Sequence, residues 1–454
     1  MNQTLIAKYN VPGPRYTSYP TVPYWEEARF SLEAWRETLL RSFIESNHPQ
    51  GISLYIHLPF CESLCTFCGC NKRVTRNHGV EEPYIDAVLQ EWALYLRLLP
   101  DRPLIREIHL GGGTPTFFSP ANLEKLIRSF LDTVTLATPF ECGFEANPNY
   151  TTAEHLDTLY GLGFRRLSLG IQDFDPRVQA VINRIQSYET VAAITDNARR
   201  MGYTSINFDL VYGLPLQKRS SIADTASKVN ALRPERIAFY SYAHVPWIKG
   251  VGQRKFSEAD LPRDWEKRML YELGRQLFEE AGYQEIGMDH FALSEDPLYQ
   301  AAKRGTLHRN FMGYTPVHTQ ISIGLGTSSI SDSWYAFAQN EKTVEAYRRR
   351  LHEGSIPLCR GHILSDEDLV LRRHILNIMC RSETSWANPE AQHPALHEGL
   401  KRLGEIEADG LITLDPDRLR VTEAGRPFLR NICMALDARL MRNAPRTQLF
   451  SQVI

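Results

Sequence analysis

An excess of charge is what this chain most lacks: among 454 residues, 51 Lys and Arg face 53 Asp and Glu, a formal net charge of -2. Such a balance gives no overall attraction for nucleic acid or an anionic membrane, so charge that recognises a substrate has to be placed locally. Long apolar runs are also missing. No stretch reaches the roughly 18 uninterrupted apolar residues of a membrane span. The opening "MNQTLIAKYN" has no apolar core of a secretion signal. The chain is therefore expected in the cytoplasm, as a monomer, with neither membrane nor nucleic acid as a partner. Internal repeats and low-complexity tracts are absent, and cysteine numbers only eight. In a reducing compartment structural disulfides are rare, which leaves metal binding, redox chemistry or plain burial for the thiols.

Half of those cysteines crowd into "CESLCTFCGC", residues 61–70, with three, two and then one residue between them. Cys142, Cys359, Cys380 and Cys433 lie in or beside apolar runs and read as small buried hydrophobes. Structural zinc usually takes two separated pairs of ligands, and this is one loop with no second pair elsewhere. An iron–sulfur cluster is held by closely spaced thiolates, and three of them would leave one iron open to a small molecule. Zinc and dithiol redox chemistry stay as alternatives on spacing alone.

A chain of this length should divide into two or three domains. Short apolar, β-branched runs recur as "ISLYIHL", "REIHLGG", "ECGFEANP", "RLSLGIQ", "SINFDLVYG" and "RIAFYSYA", separated by amphipathic segments such as "EPYIDAVLQEWALYLRLL". Six such alternations predict a parallel sheet of βαβ crossovers, which places its chemistry at the carboxyl ends of the strands. Those ends carry the cysteine run, "GGGTPT", Glu145, Gln172, Asp209, and Ala243 with His244. Residues 1–50 read as a leader and helix covering the site, 51–358 as the barrel with an extension, and 359–454 as a mostly helical, winged-helix-like unit.

Cys61-x3-Cys65-x2-Cys68, with Phe67 before the third cysteine, resembles the CxxxCx(aromatic)C loop of radical S-adenosylmethionine (SAM) enzymes. "PGPRYTSYPT", "YIHLPFC", "CTFCGCNK", "GIQDF", "DLVYGLP", "GMDHFA", "LHRNF" and "ARLMRNAPRTQLFSQVI" extend the resemblance to the oxygen-independent coproporphyrinogen III oxidase family over nearly the whole chain. The resemblance implies an α/β fold, a partial (β/α)6 radical SAM barrel. It implies a 4Fe-4S cluster on Cys61, Cys65 and Cys68, with Cys70 a neighbour rather than a ligand. A first SAM would be held by Tyr55, Gly112, Glu145, Ala243 and Ile330. A second position corresponds to Phe67, Gly113, Thr114, Gln172, Arg184 and Asp209, so two SAM molecules per chain are expected. The bland alternative for Glu145 and Asp209 is that they cap the helices that follow. Where members of the family carry glutamine in "NFxGYT", this sequence has Met312, whose thioether cannot make the same hydrogen bonds.

The implied reaction converts two propionates of coproporphyrinogen III to vinyl groups, giving protoporphyrinogen IX in haem biosynthesis, with an unidentified electron donor and acceptor. A substrate with four propionates needs cations at the rim. Arg15, Lys72, Arg73, Arg76, His290, His308 and Arg309 are available in the recognised segments, and any of them could instead be a solvated surface charge. Arg15, His290 and Arg309 are the stronger candidates. Two other functions remain to be separated: a related haem chaperone, which lacks the "PGPRYTSYPT" leader, and a cluster-based redox-sensing regulator, which would need a basic winged helix. "ITLDPDRLRVTEAG" is mixed in charge. The leader, rich in Pro, Gly and Tyr, is expected to lie over the site.

Overall fold

The computed structural model describes residues 3–247, 252–253, 256–445 and 447–454. The six predicted strands form at Ile52–Leu58, Leu104–Gly112, Thr135–Ala146, Arg166–Gln172, Ser205–Tyr212 and Arg236–Ser241, parallel and side by side in chain order. The crossover helices start where the sequence provides caps. Ser119, Asp175 and Ser187 each accept a backbone N–H at a helix entrance, and Gly202 closes the helix Tyr188–Met201 in a left-handed conformation.

Alternation along the strands decides what the fold is for. Ile52, Leu54 and Ile56, Ile108 and Leu110, Phe144, Leu167 and Leu169, Ile206 and Phe208, and Ile237 and Phe239 all join one buried apolar core. Successive side chains in a strand point to opposite faces. The intervening residues, among them Ser53 and Tyr55, Glu107 and His109, Glu145, Arg166 and Ser168, Asn207 and Asp209, and Arg236 and Tyr240, therefore share the inner face, and most are polar. The outside of the curled sheet is the packed core and its inside is a polar chamber.

The sheet is wider than the sequence analysis supposes, with 12 strands in all. Ile321–Leu325 adds a seventh parallel strand beside Ile52–Leu58, and three antiparallel strands continue from it, ending at Leu358–Ile363. His290–Ala292 and Gln284–Ile286 extend the other edge. The hairpin of His308–Asn310 and Gly313–Thr315 forms its own small sheet, and its tip, Met312, faces the chamber.

Two expectations need correction. The strand Leu358–Ile363 belongs to the sheet, so the C-terminal unit begins not at 359 but with the helix Asp366–Arg381, capped by Ser365. The helix Leu32–Gln50 does not cover the site: Trp35, Leu39 and Phe43 bury it against the outer core. The C-terminal helices stand beside a three-stranded sheet, Glu383–Ser385, Ile412–Asp415 and Arg418–Val421, over a separate apolar core. Leader residues Ile6, Tyr9, Tyr16 and Tyr19 complete that core. Among the described residues, no helix is long and apolar enough to cross a membrane.

Candidate active site

The cysteine loop leaves the first strand through a two-residue strand, Phe60–Cys61, paired in parallel with Arg73–Val74. It is fastened from several sides. Thr66 N–H donates to Ile182 O and its hydroxyl to Val181 O, Asn183 Nδ2 donates to Leu64 O, and Lys72 Nζ donates to the carbonyls of Cys68 and Cys70. Gln253 joins the Phe67 carbonyl to that of Ala243.

Cys61, Cys65 and Cys68 all line the chamber, a cavity of about 370 Å³, inside the size range of small-molecule sites. They are close enough for each thiolate to feel the others. Burial pushes the Cys61 thiol up to about 11, with a hydrogen bond from Thr114 pulling it back. Cys68 goes the other way: a hydrogen bond from Cys70 and the Lys72 charge outweigh its burial and bring it to about 6. Arg184 Nη1 approaches Cys65 Sγ to 3.9 Å. Among the described residues, no three His, Cys, Asp or Glu side chains converge as a single metal ion requires. A cluster takes each thiolate on a different iron, so three separated thiols in one fastened loop fit it better than mononuclear zinc.

The glycine run serves close approach. Gly112 has φ +112°, and a Cβ there would come within 2.5 Å of the His57 ring; one on Gly113 would meet the Pro59 carbonyl carbon at 2.5 Å. Gly112 N–H donates to Glu145 Oε2 at 3.1 Å, and His109 Nε2 stands 3.6 Å from the other carboxylate oxygen. Burial would raise the Glu145 carboxyl, but His109, Gly112 and His57 together hold it below its usual range. Asp209 accepts from Ser168 and Asn207, while burial and the Glu145 charge push it up to about 6. Two carboxyls facing one cavity, with no ion pair to Asp209 among the described residues, suit a ligand that brings its own positive charge, as SAM does.

Of the residues expected from the sequence, Phe67, Gly112, Gly113, Thr114, Glu145, Gln172, Arg184 and Asp209 line this cavity with the three cysteines. Tyr55, Ala243 and Ile330 lie outside its lining. Tyr55 is nonetheless on the inner face, its hydroxyl 3.1 Å from His57 Nδ1. Among the substrate candidates His290 and Lys72 line the cavity; Arg15 and Arg309 do not. Arg15 donates to Ser241 O and lies over the Tyr240 ring, and Arg309 lies over Tyr314. Arg309 is 4 % exposed, and among the described residues its Nε and Nη1 have no hydrogen-bond partner. Arg73 is paired with Glu345, and His308 packs on His318. His57, His109, Ser168, Asn207, Tyr240 and Asp289 are not marked out as site residues by any motif; the polar positions within otherwise apolar strands are the signal that finds most of them.

One buried acid steadies the rim. Glu91 accepts from Gly326 N–H, Asn340 Nδ2 and Tyr347 hydroxyl, and so holds the turn that leads to Ile330. Burial raises its carboxyl to about 7 against those three donors, from 4.5 in an unfolded chain. The folded state therefore binds this proton more tightly, and stability from the group is lost as pH rises from about 4.5 to about 7. Thermal melts across that window should show the stability of the native protein falling relative to Glu91→Gln as pH rises; a constant difference would contradict the assignment.

Comparison with known proteins agrees with this geometry. Residues 55–229 match the family model of the radical SAM superfamily. The chain is 39% identical over 457 residues to the oxygen-independent coproporphyrinogen III oxidase of Escherichia coli (strain K12), covering 99% of this chain and 98% of that protein. It is 37% identical over 441 residues to the Helicobacter pylori (strain J99) protein of the same name, covering 96% of each. The solved structure of coproporphyrinogen III oxidase (HemN) from Escherichia coli, a radical SAM enzyme, superposes with a TM-score of 0.89 at 36% identity, over 96% of this chain and 98% of that one.

Proposed function

This chain belongs to the oxygen-independent coproporphyrinogen III oxidase family, and on that premise we propose that its cavity holds a 4Fe-4S cluster and two SAM molecules facing coproporphyrinogen III. The protein is a radical SAM oxidoreductase of haem biosynthesis acting on coproporphyrinogen III without oxygen. When bound, the cluster and SAM would supply the radical chemistry by which a hydrogen is removed from the β-carbon of a propionate. Loss of CO2 and one electron from the substrate leaves a vinyl group, so each conversion takes one electron from a donor and gives one to an acceptor. Two conversions give protoporphyrinogen IX.

Cys61, Cys65 and Cys68 would ligate three irons, and Cys70 would stay beside Cys68 as a hydrogen-bond donor. Gly112 and Glu145 would hold the first SAM near the open iron, with Tyr55, Ala243 and Ile330 around it. Phe67, Gly113, Thr114, Gln172, Arg184 and Asp209 would hold the second. The observation that carries the reading is the joining of three cysteines, a glycine turn and two carboxyls in one cavity at the strand ends. Glu145 and Asp209 make their side of that cavity suited to cations, so the anionic porphyrinogen belongs toward Lys72. Arg15 and Arg309 stand behind Tyr240 and Tyr314, where their charge reaches the wall without direct contact. We further propose that the leader and the C-terminal unit form one closing module, in a monomer acting in the cytoplasm.

Anaerobic incubation of the reconstituted protein with SAM, a reductant and coproporphyrinogen III should yield vinyl porphyrinogens on porphyrin analysis. Absence of vinyl product while SAM is being cleaved would overturn the reading. Met312 lines the cavity with a side chain that neither donates nor strongly accepts. Met312→Gln should leave SAM bound per cluster unchanged or raise it, and loss of all SAM cleavage in that variant would place Met312 in the packing of the first position instead.

A further inference from the structure

Two touching residues of the chamber, Tyr240 and His290, and Asp289 behind them have no part in that scheme. Tyr240 is in register with Val211 on the strand that carries Asp209, and His290 lies on the antiparallel neighbour. Both side chains line the cavity. His290 Nδ1 stands 2.7 Å from Asp289 Oδ1, and its Nε2 stands 3.3 Å from the Tyr240 hydroxyl. Asp289 and His290 are 4 % and 7 % exposed.

The chemistry of the donors fixes a direction. Burial would raise the Asp289 carboxyl, yet its hydrogen bond with His290 and the nearby Arg309 and Arg15 hold it below its usual range, so it is ionised and can only accept. Nδ1 of His290 therefore carries a proton. In the neutral ring Nε2 is then an acceptor, and the Tyr240 O–H must point at it. The hydroxyl has spent its only proton, and the oxygen that remains turned to the cavity can only accept. Beside it stands Asp209, a second acceptor that forms no ion pair among the described residues, and the same cavity is lined by Met312, which supplies no donor.

We propose that Asp289 and His290 act as positioning residues that make Tyr240 a hydrogen-bond acceptor, and that Tyr240 and Asp209 together receive an N–H donor of a SAM molecule in the second position. The proposal rests on the two-SAM reading above. The donor is either the amino-acid ammonium or the adenine amine, and both have the same need for an acceptor.

Full-length protein, reconstituted anaerobically and dialysed against labelled SAM, reports stoichiometry and affinity without turnover. Tyr240→Phe removes one hydroxyl and nothing else. Asp289→Asn keeps the shape but offers an amide that can donate to Nδ1, which moves the ring proton to Nε2 and reverses the relay. Each should weaken the more weakly held SAM about tenfold and leave the tighter one unchanged, the size expected of one hydrogen bond to a charged group. The double variant should lose no more than Tyr240→Phe alone, because both changes break one relay. Unchanged SAM affinity in Tyr240→Phe overturns the proposal, and so does a fully additive loss in the double variant, which would mark Asp289 as merely structural. Where Asp289→Asn fails to fold, Tyr240→Phe decides. If native protein binds a single SAM and Tyr240→Phe weakens it, the two-SAM reading fails and the relay stands. Competition by 5'-methylthioadenosine, which has the adenine amine but no ammonium, separates the donors. Weaker competition in Tyr240→Phe supports the amine; competition unchanged alongside weaker SAM binding supports the ammonium.

Discussion

Serine in place of Cys61, Cys65 or Cys68 is expected to leave the anaerobically reconstituted protein without its brown cluster or without SAM cleavage, whereas Cys70→Ser should keep a cluster with an open iron. The thiolate, not the thiol, is the ligand, and a serine hydroxyl in the same place stays protonated at neutral pH. The loop is anchored through Thr66, Asn183 and Lys72, none of which depends on the thiols, so a single serine should spare the fold. Cys70 differs in its relation to the others. Its thiol donates to Cys68 and helps hold that group at about 6, and a serine hydroxyl can make the same donation. Iron content and visible absorbance after anaerobic reconstitution check the result. Iron lost from Cys70→Ser but retained by Cys68→Ser would reverse the assignment of ligand and neighbour.

The parts of this site legible in the sequence are those written by local rules. Cysteine spacing states the loop, and β-branched runs place five of the six strands to within a few residues, the third, Thr135–Ala146, beginning six residues before its run. The strand Ile321–Leu325 is harder to see because "ISIGL" is short and carries a glycine, and it is defined by pairing with residues about 270 positions away. Facing is harder still. Arg309 stands in a recognised segment and reads as a substrate ligand, but the hairpin register pairs it with Tyr314 and puts its guanidinium over that ring, out of the cavity lining. Asp289 looks like an ordinary turn acid until the neighbouring strand brings Tyr240 to His290. Side-chain direction follows from strand register, and register is a long-range property that no short motif contains.

Deletion of residues 1–25 is expected to destabilise the C-terminal unit, not merely to uncover the substrate. Tyr16 and Tyr19 are each 1 % exposed inside the C-terminal core, and Ile6 and Tyr9 lie there too. Tyr16 hydroxyl donates to Asp437, Asn431 donates to the Tyr9 carbonyl, and Trp25 stacks on Phe337 of the large sheet. Arg430 donates to the carbonyls of Gly13 and Pro14, so truncation also strips two partners from a buried guanidinium. The four side chains in the C-terminal core, at about 1.5–3 kcal/mol each, amount to at least about 6 kcal/mol, comparable with the whole stability of a domain. The barrel keeps its own core and cysteine loop and should still bind the cluster. Calorimetry of the truncated protein should therefore show an early transition, or none, for the C-terminal unit while iron content is retained; a melt matching the full-length protein would show that the leader is a detachable cover. Arg15→Gln separates the two roles. Among the described residues its guanidinium donates to Ser241 O, and its charge lies over Tyr240. The variant should melt as the native protein does and show a raised KM for coproporphyrinogen III, since it removes charge from behind the cavity wall and leaves the buried tyrosines of the leader in place.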